Sequence, residues 1–440
     1  MDLRQGFVDE LHREHVREIA FLYDQREAAL ARETTTVREL ENTEERLRAH
    51  LGGLLVEPSE DFALLLDFAA SPEPGECYAA VRALCQLDRR DELAKVLAAA
   101  AWAEPKIAQA IARALGCELR LQWTPLLNAW LAASHGPQTA ALARVAGWRN
   151  LGLGAVLEQA LDESCDDPGP LLWALGRLRS KTASSKFFHY VQNGTAQVRQ
   201  TAALGALQAL AQPQLVPKLE QAAASESWAA IPLAVAAGSS AAQVLGRRLE
   251  AGNADALVVT ALGLCGCLSA VRPLLAALTE PTLAAAAATA LHLLSGAELW
   301  EEVDDIDESI LHDEELAALR QGKLNAKQLQ MTVVRLSRDR AAWKAWWRGD
   351  GRALVPSVRY RLGQPFDPGS SLAALLSPQF APWLRDIMAQ EIEIRYRVNV
   401  RFVADMMVNE QRGCIREAER YLADRTWQQG AWYLSGKVIG

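Results

Sequence analysis

A short pattern returns about every thirty residues along much of this chain. Ala-Leu-Gly or a close variant ends an apolar run at Ala114-Leu115-Gly116, Val145-Ala146-Gly147, Ala174-Leu175-Gly176, Ala203-Leu204-Gly205, Ala236-Ala237-Gly238 and Ala261-Leu262-Gly263. The glycines are 31, 29, 29, 33 and 25 residues apart. Such a period marks a solenoid, because one helix pair cannot bury its own apolar face and must stack on the next. The repeat predicts that each motif closes the second helix of a pair. It predicts an all-α fold: an α-solenoid of about seven short units with helical N- and C-terminal parts. A stack of helix pairs is first a surface for holding something.

The chain has 440 residues, half of them apolar, which suits a folded protein with more than one module. Residues 1–30 carry charges throughout and contain no apolar h-region, so no signal peptide is expected. No uninterrupted apolar stretch reaches the roughly 18 residues expected of a membrane span. The nearest, 282–295, is mostly alanine. The 7 cysteines lie among apolar residues, which fits reduced, buried thiols in a cytoplasm. The net charge of −8 is unevenly spread: −6 over 1–60, −1 over 61–295, −9 over 296–320 and +8 over 321–440. An acidic segment therefore adjoins a basic C-terminal part.

Helical spacing runs through 6–50, with Val16, Ile19, Ala20, Tyr23, Leu40, Leu47 and Leu51 on one face. Gly52-Gly53 and Pro58 break it, and Asp61 is placed to cap a helix over 62–69. From 76 to 296 the pattern is repeated helix pairs. The clearest has a first helix at 186–191, a turn at Asn193-Gly194 and a second helix at 198–207. Pro125, Pro217, Pro232 and Pro273 suit first turns of helices. These breaks divide the chain into an N-terminal helical segment (1–60), a repeat solenoid (61–296), an acidic connector (297–330) and a C-terminal helical domain (331–440).

The run Val198-Arg199-Gln200-Thr201-Ala202-Ala203-Leu204-Gly205-Ala206-Leu207 resembles the second helix of short, bacterial HEAT-like repeats. Phycobilin lyases, alkylpurine DNA glycosylases and scaffolds use repeats of this kind. Further stretches are similar to a proteobacterial HEAT-repeat family often encoded beside type VI secretion genes. They are 15–30 (HVREIAFLYDQREAAL), 47–54 (LRAHLGGL), 343–347 (WKAWW) and 358–365 (VRYRLGQP). That resemblance implies an immunity or accessory role towards a secreted toxin. It supplies no residue-level mechanism.

The acidic segment holds Glu298, Glu301, Glu302, Asp304, Asp305, Asp307, Glu308, Asp313, Glu314 and Glu315, with no Lys or Arg before Arg320. Like charges at this density repel unless a cation or basic partner is near. One reading is a solvated connector, or a segment lying on the basic part of the same chain. The other is a set of carboxylates that occupy a basic cleft in a partner, as phosphates would. Asp304, Asp305 and Asp307 lack the glycine and terminal Glu of a calcium loop.

Other constellations favour structural roles. Arginines at 335, 338, 340, 348, 352, 359 and 361 surround Trp343, Trp346, Trp347 and Tyr360. Nucleic-acid stacking is conceivable there, but the tryptophans form one helical stripe and read as a small core with arginines outside. His12 and His15 stand near Glu10 and Glu14 without a further ligand set, and Cys265-Gly266-Cys267 is no zinc spacing without partners. Ser164, Ser184 and His189 form no triad, and Gly152-Leu153-Gly154 lacks the third glycine of a dinucleotide site. One stretch, 391–402, alternates polar and apolar residues like a strand. A lone strand has no sheet to join, so helix up to about Arg397 is the expectation.

The sequence thus points to a cytoplasmic, non-catalytic binding protein without cofactor or metal. Its expected partner is a cognate type VI secretion toxin with a basic surface, a DNase being the first candidate. The ten carboxylates are the expected contact, and neither membrane nor nucleic acid is. The alternatives are a non-inhibitory scaffold or adaptor of the secretion system and a HEAT-like DNA-repair glycosylase.

Overall fold

The thirty-residue period becomes helix pairs. A computed structural model describes residues 3–32, 35–56, 62–163, 167–210, 212–305, 318, 331–377 and 379–439. The chain opens with α1 (Leu3–Ala31) and α2 (Val37–Leu54). Five pairs follow: α3 (Ala63–Ala69) with α4 (Pro74–Gln86), α5 (Arg90–Ala99) with α6 (Pro105–Glu118), α7 (Thr124–Ala133) with α8 (Pro137–Arg149), α9 (Gly154–Asp162) with α10 (Gly169–Arg177), and α11 (Ser184–Asn193) with α12 (Ala196–Leu210). Three more are α13 (Leu215–Ala223) with α14 (Ala230–Ala236), α15 (Ser240–Glu250) with α16 (Ala256–Cys265), and α17 (Val271–Ala277) with α18 (Ala284–Ser295).

Two compact units divide the chain. Unit 1 is Met1–Ala29, Val37–Leu210 and Arg401–Cys414; unit 2 is Leu30–Thr36, Ala211–Val400 and Ile415–Gly440. In unit 1 the second helices α4, α6, α8, α10 and α12 stack in order. In unit 2 α14, α16 and α18 do the same. This is the α-solenoid that the repeat predicts.

Five of the six repeat glycines do not close their helices; the sixth, Gly238, lies just past the end of α14, as the repeat predicts. Gly116, Gly147, Gly176, Gly205 and Gly263 lie inside α6, α8, α10, α12 and α16, and none has a positive φ. What they supply is space. A Cβ on Gly263 would lie 2.6 Å from the Ala290 Cα, and one on Gly176 would lie 2.6 Å from the Gly205 Cα. On Gly116 and Gly147 it would enter the rings of Trp148 and Trp173. The sequence period therefore records where one helix must approach its neighbour. True left-handed caps occur at Gly266 and Gly296, which end α16 and α18 with φ of 69° and 66°.

The N-terminal part departs from one continuous helix. α1 ends at Ala31 and α2 begins at Val37, in a run rich in threonine, whose branched side chain disfavours helix. The helix over 63–69 forms, with Phe62 at its N-cap in left-handed conformation. Asp61 lies outside the described residues.

The C-terminal part mixes helices with short ribbons. After β1 (Trp300–Asp305) and β2 (Met331–Leu336) come α19 (Arg340–Arg348), β3 (Tyr360–Arg361), β4 (Gln364–Pro365), α20 (Pro368–Leu375), α21 (Pro382–Tyr396), α22 (Val408–Ala423), β5 (Trp432–Leu434) and β6 (Lys437–Ile439). Each sheet is a two-stranded antiparallel ribbon. The alternating stretch 391–402 is helical as far as Tyr396, with Arg397 as its left-handed cap. Period-two reading equates polar with exposed. Here Glu391, Glu393 and Arg395 are themselves buried, so the alternation carries no information about faces.

Candidate functional site

The acidic segment is no simple connector, since residues 300–305 form strand β1. Its register with β2 pairs Trp300 with Leu336, Glu301 with Arg335, Glu302 with Val334, and Asp304 with Thr332. Alternate strand residues point to opposite faces. Glu302 and Asp304 therefore share a face, and both are exposed, as is Glu298 before the strand. Glu301 is on the other face and is already partnered: it accepts from Arg335 Nε at 3.0 Å and from Ser337 Oγ at 2.9 Å. Partial burial alone would raise its pKa. The hydrogen bonds from Ser337 and Arg335 prevail and hold it below the ordinary range. The backbone of Asp305 completes β1, whereas Asp307, Glu308, Asp313, Glu314 and Glu315 lie outside the described residues.

The base of this ribbon is fixed. Ser337 N donates to Leu299 O at 2.8 Å, and Trp343 Nε1 donates to Ser337 O at 2.7 Å. Trp343 is fully buried, while Trp346 and Trp347 are half-buried and meet edge to face at 4.9 Å. Trp343 is thus the buried member of the tryptophan stripe and ties its helix to the end of β2 through Ser337.

The basic C-terminal part spends three arginines on the ends of the repeat helices. Arg359 and Arg361 stand two residues apart at β3, so both reach the same side. Arg359 Nε donates to Cys265 O at 3.0 Å, and its Nη2 donates to Leu264 O at 2.9 Å. Arg361 donates to the same Leu264 O at 3.2 Å. Arg395 Nη2 donates to Ala234 O at 2.8 Å and to Ala237 O at 3.2 Å. These carbonyls are the orphan acceptors at the ends of α14 and α16, where the helix dipole favours a cation. The loop between β3 and β4 does the same for α18, with Leu362 N on Leu293 O and Gly363 N on Leu294 O.

One carboxylate answers all three arginines. Glu391 pairs with Arg359, with Arg361 at 2.7 Å and with Arg395 at 2.9 Å, and all four side chains are buried. Burial alone would raise the Glu391 pKa, but three guanidinium groups bring it down to about 2. The arginines fare differently. Burial, with the neighbouring arginines against them and Glu391 the main group in favour, lowers Arg361 and Arg395 to about 10. Each still carries its charge at neutral pH. The asymmetry follows from the count, since one anion is shared among three cations.

Unit 1 contains a second such centre. Asp405 accepts from Arg113 and from Arg144, each at 3.1 Å. Arg26 donates to Asp405 O at 3.1 Å and Met406 O at 2.8 Å, while Arg177 donates to Phe402 O at 3.1 Å. Val403 and Met406 pack on Trp148. Burial would raise the Asp405 pKa, but Arg113 and Arg144 hold it below the ordinary range.

Other sequence candidates take structural roles. His12 Nε2 meets Val56 O at 2.8 Å, and His15 Nδ1 meets His50 Nδ1 at 3.1 Å. Among the described residues no three His, Cys, Asp or Glu side chains form a metal-binding group. Cys265 and Cys267 are buried, which raises both thiol pKa values. Ser164 lies outside the described residues. Ser184 and His189 are on α11, where Asn193 Nδ2 lies 3.4 Å from His189 Nδ1. Among the described residues no helix is long and apolar enough to cross a membrane.

Glu391, Asp405 and their arginines escaped sequence reasoning as a group. Glu391 and Arg395 are four apart, a legible helical ion pair, but nothing in sequence brings Arg359 or Asp405 to its partners. The chain matches no protein-family model, no curated protein and no solved structure.

Proposed function

We propose that this chain is a non-catalytic binding protein that neutralises a basic protein toxin. In that reading it is a cytoplasmic immunity protein of a type VI secretion system, and the toxin is a nuclease. The observation that carries it is the ribbon face on which Glu302 and Asp304 stand exposed while Glu301 is held by Arg335. A carboxylate already paired within the chain has little left for a partner. Two exposed carboxylates on one face of an anchored ribbon can enter a cleft built for phosphates. Charge complementarity of this kind speeds association by roughly 10- to 1,000-fold at low salt. The stacked repeats supply the rigid support.

Co-expression with a candidate toxin from the neighbouring genes tests the reading. Rescued growth and co-purification are expected, and absence of both overturns it. Glu302→Gln with Asp304→Asn should then weaken binding and flatten its salt dependence. Glu301→Gln should act mainly on the ribbon's stability. Equal affinity in the double variant would move the contact away from this strand.

A further inference from the structure

We propose that a pocket between α20 and α22 receives a cationic side chain, arginine in preference to lysine, from the basic partner. The partner's identity rests on the reading above; the pocket's chemistry does not. The cavity holds about 300 Å³, and its walls include Asp367, Leu372, Glu419, Leu422, Trp427 and Gln429. Leu372 and Leu422 are buried and give an apolar floor on which a methylene stem can lie.

Trp427 is held in place. Its ring is 4.8 Å from Tyr396 and 5.2 Å from Tyr433, both close to edge-to-face. Its Nε1 donates to Leu422 O at 3.3 Å. A fixed, half-buried indole attracts a guanidinium plane without losing much entropy of its own.

The counter-charge comes from Asp367 and Glu419. Asp367 caps α20, accepting Ser370 N at 2.7 Å on Oδ1 and Gln429 Nε2 at 3.3 Å on Oδ2. An ionised carboxylate offers about four acceptor sites, so both oxygens keep capacity. Glu419 is exposed on α22. Among the described residues neither carboxylate has a Lys or Arg within ion-pair distance, whereas Glu301 and Glu391 of the same unit have arginines of their own. An aromatic wall, an apolar floor and two carboxylates without a cation fit a cationic side chain better than a neutral or acidic one.

The test uses the full chain with indole-¹⁵N tryptophan. N-acetylarginine amide should shift, saturably, the indole signal that disappears in Trp427→Phe. N-acetyllysine amide should do so more weakly, and N-acetylnorleucine amide not at all. Glu419→Gln, on an exposed position, should weaken binding by roughly threefold to tenfold, and Glu419→Lys should abolish it. Equal response to the norleucine amide, response to maltose instead, or an affinity unchanged by both Glu419 variants overturns the proposal. If Trp427→Phe does not fold, the two Glu419 variants decide alone. The titration needs no partner protein, so its failure leaves the co-expression test standing, and the reverse also holds.

Discussion

Each unit contains a buried carboxylate shared among arginines, Glu391 in one and Asp405 in the other, and the two centres differ in how much water reaches them. Around Glu391 all three arginines are 0–1% exposed. Around Asp405, Arg113 is 10% exposed and Arg144 45%. The same chemistry therefore works at two dielectric levels, and Coulomb interaction strengthens as water is excluded. So does the cost of losing a partner. Glu391 makes three buried cations tolerable, whereas Asp405 leaves one of its arginines free to turn to solvent.

The contrast predicts an order of effects. Glu391→Gln, which strands three buried guanidinium groups, should cost about 3–5 kcal/mol in urea unfolding. Asp405→Asn should cost about 1–3 kcal/mol, because Arg144 regains hydration. An equal or reversed order would break the comparison.

Acid sharpens it. Both carboxylates titrate below their ordinary range in the folded state, so their stabilisation is fully present above the unfolded pKa and is lost as pH falls. For Glu391 the window runs from 4.5 down to about 2, worth on the order of 3 kcal/mol. Glu391→Gln should flatten the acid limb of a stability–pH curve more than Asp405→Asn does.

The smallest effect concerns Gly246, inside α15, whose added Cβ would meet nothing within 4 Å. Gly246→Ala should stabilise unit 2 by about 0.5–1 kcal/mol through helix propensity alone. Calorimetry of that variant would show which thermal transition reports unit 2, and hence which carboxylate governs it. Gly263→Ala should do the opposite, since its new methyl meets the Ala290 backbone.

The solenoid was legible because its period follows from packing geometry: one small residue per close approach leaves a mark in any sequence. What each repeat glycine does was not legible, since spacing marks where a glycine is needed but not whether φ or room requires it. Of the acidic site, the position and charge were legible. The hairpin was not, because Glu301 and Arg335 are joined by strand register across residues with no pattern of their own. The arginine centres were the least legible. Val358-Arg359-Tyr360-Arg361 stood out as a recognisable string, yet its work on the end of α16 depends on contacts with residues 94 and 95 positions away.

The segment Arg401–Cys414 belongs to unit 1, although the rest of that unit ends at Leu210. A ribosome adding roughly 5–20 residues per second lets most N-terminal domains fold first. Unit 1 has no such head start. Until residue 406 has been made, Trp148 lacks its full set of Val403 and Met406, and until residue 405, Arg113 lacks Asp405. Residues up to Leu210 must wait, unfinished, for a segment made only after Ala211–Val400 of unit 2, so unit 1 begins first without being completed first.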